Sequence, residues 1–255
     1  MELLKIDHVR RVFNTRLGLK QCVALRDVSF EVGSGEFVAI MGPSGSGKST
    51  LLNIIASLDK PSGGDVCLSG RSLKAIPERE LSEFRRDNLG FVFQDFNLLD
   101  TFSLKDNILL PLVLKRTPLA EMEQRLLPVA QELRIAELLN KYPYEVSGGE
   151  KQRAAVGRAI ITNPQLLLAD EPTGALDSRS SANLLALFGD LNQKGRTLLM
   201  VTHSALAASH AGRVLFIRDG EIFSQLYRGE DNNRAFYERI IHNLSILEDG
   251  GAQGE

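Results

Sequence analysis

Two cysteines in 255 residues, Cys22 and Cys67, lie far apart and outside any metal-ligand spacing. That excludes a disulfide framework and a zinc site as the organising device and suits a reducing compartment. No apolar run approaches the ~20 residues of a membrane-spanning helix; stretches such as Ile108 to Leu114 stop well short. The start, Met1 to Lys5, lacks a secretory pattern, and there is no internal repeat. With a formal net charge of -2, no basic field draws the chain onto nucleic acid or anionic lipid. These absences predict a cytoplasmic protein with no nucleic-acid partner, reaching a membrane only if another protein holds it there. The remaining composition, 43% hydrophobic and 24% charged, is ordinary, and the length allows one large α/β domain with a lobe or two small domains.

What is present is organised around one loop, Gly42-Pro43-Ser44-Gly45-Ser46-Gly47-Lys48-Ser49-Thr50. The apolar run Phe37 to Met41 before it reads as a strand buried on both faces, and Leu51 to Leu58 after it as a helix. The spacing of Gly42, Gly47, Lys48 and Ser49 fits a phosphate-binding loop. There, glycines turn successive N–H groups toward a polyphosphate at a helix N-terminus. Lys48 would then reach the β and γ phosphates, and the Ser49 hydroxyl would hold Mg²⁺.

In chain order, residues 3–40 predict short antiparallel strands, with Leu4, Ile6, Val9, Val28, Phe30 and Val32 nearly alternating and Gly18 in a turn. Val66 to Leu68 returns as a strand, and Phe91 to Phe93 is a buried strand delivering Gln94 at its end. From about residue 97 to 162 the pattern turns helical. Thr117 is placed as an N-cap, Pro118 at the first helical position, and Pro128 as a kink or break in a helix built on Met122, Leu126, Ala130 and Leu133. An α-helical subdomain inserted in an α/β core is the expectation. The core resumes with Leu166 to Asp170, a helix carrying Leu184, Leu187, Phe188 and Leu191, and a strand ending at His203. Asp219-Gly220 predicts a hairpin. Phe236, Ile240, Ile241, Leu244 and Leu247 predict a final helix before a glycine-rich, disordered end. The domain expectation is 1–230 for the catalytic unit and 231–255 for the C-terminal helix and tail.

Gln94, Asp170 with Glu171, and His203 all stand at the ends of apolar strands, the edge where open α/β sheets bind ligands. Alone, Asp170 reads equally as a helix N-cap. Beside a phosphate loop, its carboxylate would complete Mg²⁺ coordination, Glu171 would be the general base or the residue that positions the attacking water, and His203 would sense the γ-phosphate. His8, His210 and His242 lack such settings and read as solvent-facing or structural. A second constellation is Ser147-Gly148-Gly149-Glu150 at a helix start. Ser147 and Glu150 fit a capping box, while two glycines in a first turn suggest that something approaches the backbone closely; an anion would account for both.

Together these motifs resemble the ATP-binding-cassette family over nearly the whole chain. Gly42 to Ser49 is similar to its Walker A loop, Gln94 to its Q-loop, Ser147 to Glu150 to its signature, Leu166 to Asp170 to Walker B, Ala175 to Asp177 to the D-loop and His203 to the H-loop. Phe13 stands where the family places an aromatic under adenine. The fold implied is α/β, a P-loop NTPase core with an N-terminal antiparallel β subdomain and an inserted α-helical subdomain. The resemblance also implies ATP and Mg²⁺ as ligands, with Ser49, Gln94 and Asp170 toward the metal, and a homodimer in which one chain's signature closes over the other's ATP. A separate integral membrane permease would hold the chain at the inner face of the cell membrane. Two departures stand in the signature, Glu150 where Gln is usual and Val146 where Leu is usual.

Residues 42–53 and 91–99 resemble the branch holding macrolide exporters, lipoprotein-release ATPases and antimicrobial-peptide-resistance transporters. Residues 142–150 and the tail at 236–247 resemble the bacitracin-type resistance group. A lipoprotein-release or cell-division cassette stays open beside it, as does a P-loop kinase, which shares the loop but has no use for Ser147 to Glu150. The apolar set Phe96, Leu98, Leu99 and Phe102 just after Gln94 is read either as packing for the helical subdomain or as part of a groove for a permease helix.

Overall fold

The computed structural model describes residues 2–14 and 21–249; the turn read at Gly18 and the glycine-rich end lie outside the described residues. The chain divides into two compact units, one of residues 1–77 with 199–255, the other of residues 78–198.

In the first unit, β1 (Glu2–Asn14) and β2 (Gln21–Gly33) pair antiparallel. They are long strands broken by register shifts rather than several short ones. The shift between Ile6 and Val9 has a clear cause: residues three apart face opposite sides of a regular strand, yet both are buried. His8, with φ 49°, takes up the extra residue. β3 (Phe37–Met41) is buried at every position, as its unbroken apolar run predicts. α1 (Lys48–Ile55) starts three residues earlier than the apolar pattern suggests, because the loop's Gly47 is its N-cap; it buries Leu51, Leu52, Ile54 and Ile55. β4 (Gly63–Leu68) returns along β1, and β5 (Arg71–Ser72) edges β4.

The second unit comprises α2 (Leu81–Asn88), β6 (Leu89–Phe93), α3 (Leu104–Leu114), α4 (Leu119–Glu132), α5 (Gly148–Ile160), β7 (Leu166–Asp170) and α6 (Ser178–Gln193). β6 and β7 run parallel, with Phe93 opposite Asp170. One proline expectation is corrected here, and one alternative of another. Pro118, with ψ 143°, is itself the N-cap of α4, so the helix begins at Leu119 and Thr117 lies outside it. Pro128 neither ends nor splits α4. It removes one N–H, and both it and Gln124, whose carbonyl loses that donor, are exposed, so water compensates the break. Leu126, Ala130 and Leu133 are buried as the pattern predicts, and α6 buries Leu184, Leu187, Phe188 and Leu191.

β8 (Thr197–Val201) crosses the unit boundary, and the first unit closes with α7 (Ala205–Ala208), β9 (Arg213–Arg218), β10 (Glu221–Tyr227) and α8 (Asn233–Asp249). Its strands lie in the order β5-β4-β1-β2-β10-β9-β3. The β9–β10 turn has Asp219 and Gly220 both left-handed, φ 52° and 79°, the conformation that Asp-Gly favours between twisted strands. On α8, Phe236 and Ile240 are fully buried while Ile241 is exposed, so the buried stripe is narrower than the sequence suggests.

Candidate functional site

In the first unit the loop leaves β3 and enters α1 at Gly47, whose φ of 102° and ψ of 3° close the turn. A Cβ there would lie 2.5 Å from the Ala24 carbonyl oxygen and 2.7 Å from Leu25 Cδ2. α1 has no side-chain cap and no acid in its first turn, so no side chain offsets its positive dipole end. Lys48 Nζ donates to the Gly42 and Pro43 carbonyls, 2.8 Å each, which folds the ammonium back over the loop. Ser49 is exposed, and the buried Ser46 hydroxyl has no hydrogen-bond partner among the described residues. His203 follows β8, and the Thr202 N–H donates to Ile40 C=O of β3 at 3.1 Å. The loop and an exposed His203 therefore leave neighbouring strand ends. Phe13, 39% exposed, carries the Arg11 guanidinium 4.4 Å from its ring centroid.

In the second unit Gln94 and Glu171 follow the paired residues Phe93 and Asp170, so both emerge at the C-terminal edge of β6 and β7. Gln94 is exposed; Asp170 and Glu171 are half-buried. Glu171 is left-handed, φ 45°, a strained state for a non-glycine residue, and its carbonyl accepts from Gly174 N–H at 2.9 Å.

The capping box predicted at Ser147 is present. Glu150 N–H donates to Ser147 Oγ at 3.4 Å, while the Glu150 carboxylate accepts from Ser147 N–H and Ser147 Oγ, 2.8 Å each. The Ser147 backbone N–H above all, and then its hydroxyl, hold the Glu150 carboxyl below the usual carboxylate range against partial burial; Arg153 and Lys141 add to the effect. The close approach read from the paired glycines has an internal source at Gly149, where a Cβ would come 2.8 Å from Ser180 Oγ. Ser180 is itself fixed by Asp177, the N-cap of α6, through 2.9 and 2.7 Å bonds. Gly148 meets nothing closer than 3.6 Å and stays open.

The apolar set after Gln94 divides. Phe96 and Leu98 are half-buried, whereas Leu99 and Phe102 are exposed. The turn that presents them is built on the fully buried Asn107. Its Oδ1 accepts from Leu99 N–H at 2.8 Å, and its Nδ2 donates to the carbonyls of Leu99, Phe102 and Ser103 at 3.0–3.1 Å.

A family model described as ABC transporter matches residues 25–174. The chain belongs to the ABC transporter ATPase family. It is 44% identical over 256 residues to the bacitracin export ATP-binding protein BceA of Halalkalibacterium halodurans, covering 100% of each chain. It is 47% identical over 246 residues to the ABC transporter ATP-binding protein YxdL of Bacillus subtilis, covering 96% of this chain and 94% of that one. The solved dimeric cassette MJ0796 is similar with a TM-score of 0.80 at 38% identity, over 88% of this chain and 98% of that one. A post-hydrolysis MJ0796 dimer bound to ADP and Pi is similar with a TM-score of 0.79 at 37% identity, over the same shares of each chain. The fold is the mixed α/β cassette, and the chain is the ATP-binding, ATP-hydrolysing subunit of an ABC transporter. No helix among the described residues is long and apolar enough to cross a membrane.

Three residues outside the predicted set touch the segments that carry Gln94 and Glu171: Gln152 donates to the Phe93 and Pro172 carbonyls, Arg158 to the Phe96 and Asn97 carbonyls, and Gly174 lies against the Gln94 side chain. The only local signal was Gly174, three residues past the Asp-Glu pair; the partners of the other two are backbone carbonyls, which no side-chain pattern announces.

Proposed function

We propose that this cassette works as a homodimer at the inner face of the cell membrane, powering a separate integral permease that confers resistance to bacitracin-type antimicrobial peptides. The observation that carries the reading is the end-to-end likeness to a bacitracin export ATP-binding protein, with no stretch of either chain left over. The domain proposal keeps a helical subdomain at residues 97–162 and a C-terminal helix beyond 230.

The residues present suit ATP and Mg²⁺. The N-terminus of α1 without a side-chain cap, the Ser46 hydroxyl without a partner among the described residues, and a lysine already turned over the loop suit a polyphosphate. Residues 42–50 would wrap the phosphates with main-chain N–H groups, Lys48 would exchange its carbonyl partners for phosphate oxygens, and Phe13 would stack on adenine. Ser49, Asp170 and Gln94 offer hard oxygen donors of the type Mg²⁺ prefers. Bound there, the ion would neutralise charge on the phosphates. Glu171 would take the proton of the attacking water, with His203 placed toward the γ-phosphate. Ser147, Gly148 and Gly149 would face the nucleotide of the partner chain, and the Glu150 carboxylate, committed to its capping box, serves structure rather than repelling that phosphate.

The test is purification of the tagged chain from membranes, with growth of the same cells on bacitracin. A stoichiometric integral protein that co-elutes, and loss of resistance when Glu171→Gln replaces the native chain, are expected. Co-elution without any change in resistance would move the assignment to lipoprotein release or cell division.

A further inference from the structure

Two polar side chains of α5 that the mechanism above does not use are directed at main chain. Gln152 is fully buried, and its Nε2 donates to two carbonyls at once, Phe93 at 3.1 Å and Pro172 at 2.7 Å. One carbonyl immediately precedes Gln94 at the end of β6; the other immediately follows Glu171 at the end of β7. Two acceptors at one atom fix the amide orientation, because only the nitrogen has hydrogens to give. Its Oε1 is buried without a partner among the described residues. An apolar side chain would avoid that penalty if the position only filled space.

Arg158, further along the same helix, holds the other end of the segment. Its guanidinium donates to the Phe96 carbonyl at 2.9 Å and to the Asn97 carbonyl. Phe96 and Asn97 are consecutive left-handed non-glycine residues, φ 60° and 50°, an arrangement that persists only where its surroundings enforce it. Between these anchors the Gln94 side chain lies on Gly174, where a Cβ would come 2.9 Å from Gln94 Cδ. The helix that begins at Ser147 thus grips residues 93–97 at both ends and the turn after Glu171 at one.

We propose that Gln152 and Arg158 are positioning residues for ATP hydrolysis, fixing Gln94 and Glu171 relative to each other and to the helix carrying Ser147. The inference rests on the reading of Gln94 and Glu171 as site residues. It separates from a merely packing role because it assigns the loss to turnover and makes it depend on Gln94.

The experiment is steady-state ATP hydrolysis by purified full-length chains carrying Gln152→Met, Arg158→Met, Gln94→Ala, and the last two combined. Gln152→Met conserves volume while removing both donors, and should lower kcat roughly 10- to 100-fold with KM for ATP little changed, since small misplacements of reacting groups act at that scale. Arg158→Met should lower kcat in the native background and cost less than about twofold once Gln94 is already Ala, because it would act only through that residue. If Arg158→Met does not fold, Arg158→Lys, which keeps the charge and one donor, carries the same cycle. Additive losses, or a rise in KM at native kcat, would overturn the clamp while leaving Gln94 in the site. Native kcat in Gln94→Ala alone would overturn the reading of Gln94 and the clamp with it.

Discussion

Replacing Gly47 by alanine puts the phosphate loop to a quantitative test. At φ 102° an L side chain is outside its comfortable range, and the added Cβ would meet Ala24 O at 2.5 Å and Leu25 Cδ2 at 2.7 Å. The backbone conformation costs about 1–2 kcal/mol. The overlap with a backbone oxygen costs about 1–3 kcal/mol more, because Ala24 lies in β2 and cannot swing away. A loss of about 2–5 kcal/mol in the first unit is expected, against a total stability of about 5–15 kcal/mol for a typical domain. Urea unfolding followed by circular dichroism reads this as a lower midpoint for that unit. Repeating the titration with ATP separates stability from binding: a native site at ligand 100-fold above Kd gains about 2.7 kcal/mol, and the variant should gain almost none. An unchanged midpoint with undiminished ATP stabilisation would refute the placement of Gly47 at the mouth of the nucleotide site.

Other perturbations have equally definite outcomes. Lys48→Ala removes a charged donor held over the loop and should weaken ATP binding by about 10- to 150-fold, the equivalent of about 1.5–3 kcal/mol, in a nucleotide titration. The carboxyl of Glu150 sits below its ordinary range, so its capping contribution is complete above that range and disappears as pH falls through the lowered value. Glu150→Gln should therefore flatten the acid side of the stability profile, seen as a smaller drop in Tm between pH 6 and pH 3, with rough figures set by the usual carboxylate range. Leu99→Asp, at an exposed position on the Asn107-braced turn, should abolish co-elution with an integral protein while Tm and ATP affinity stay native.

Much of the fold was legible because the apolar spacing and the turn chemistry agreed. β3 is an unbroken apolar run, β7 is one up to Asp170 and β8 one after Thr197; the Asp219-Gly220 turn is what its residues favour, and Leu184, Leu187, Phe188 and Leu191 face inward on α6. The start of α1 was hidden because the helix begins inside a glycine loop, where composition argues against helix. Pro128 did not split α4, because the carbonyl that loses its donor lies on a solvated face. At the site, the capping box of Ser147 and Glu150 was legible from spacing alone. The grip of Gln152 and Arg158 on residues 93–97 was not, since it joins side chains to carbonyls about sixty residues away. Gly149 carries a constraint that its spacing did not announce, the Ser180 hydroxyl of the same chain 2.8 Å from where its Cβ would stand.

Glu171→Gln tests the central claim most directly. The substitution keeps the shape of a strained residue at the end of β7 and removes only its capacity to take a proton. With saturating ATP and Mg²⁺, light scattering should find a stable dimer that retains ATP, and phosphate release should fall by roughly 10² or more. Turnover close to native, or a chain that stays monomeric with ATP bound, would contradict the account.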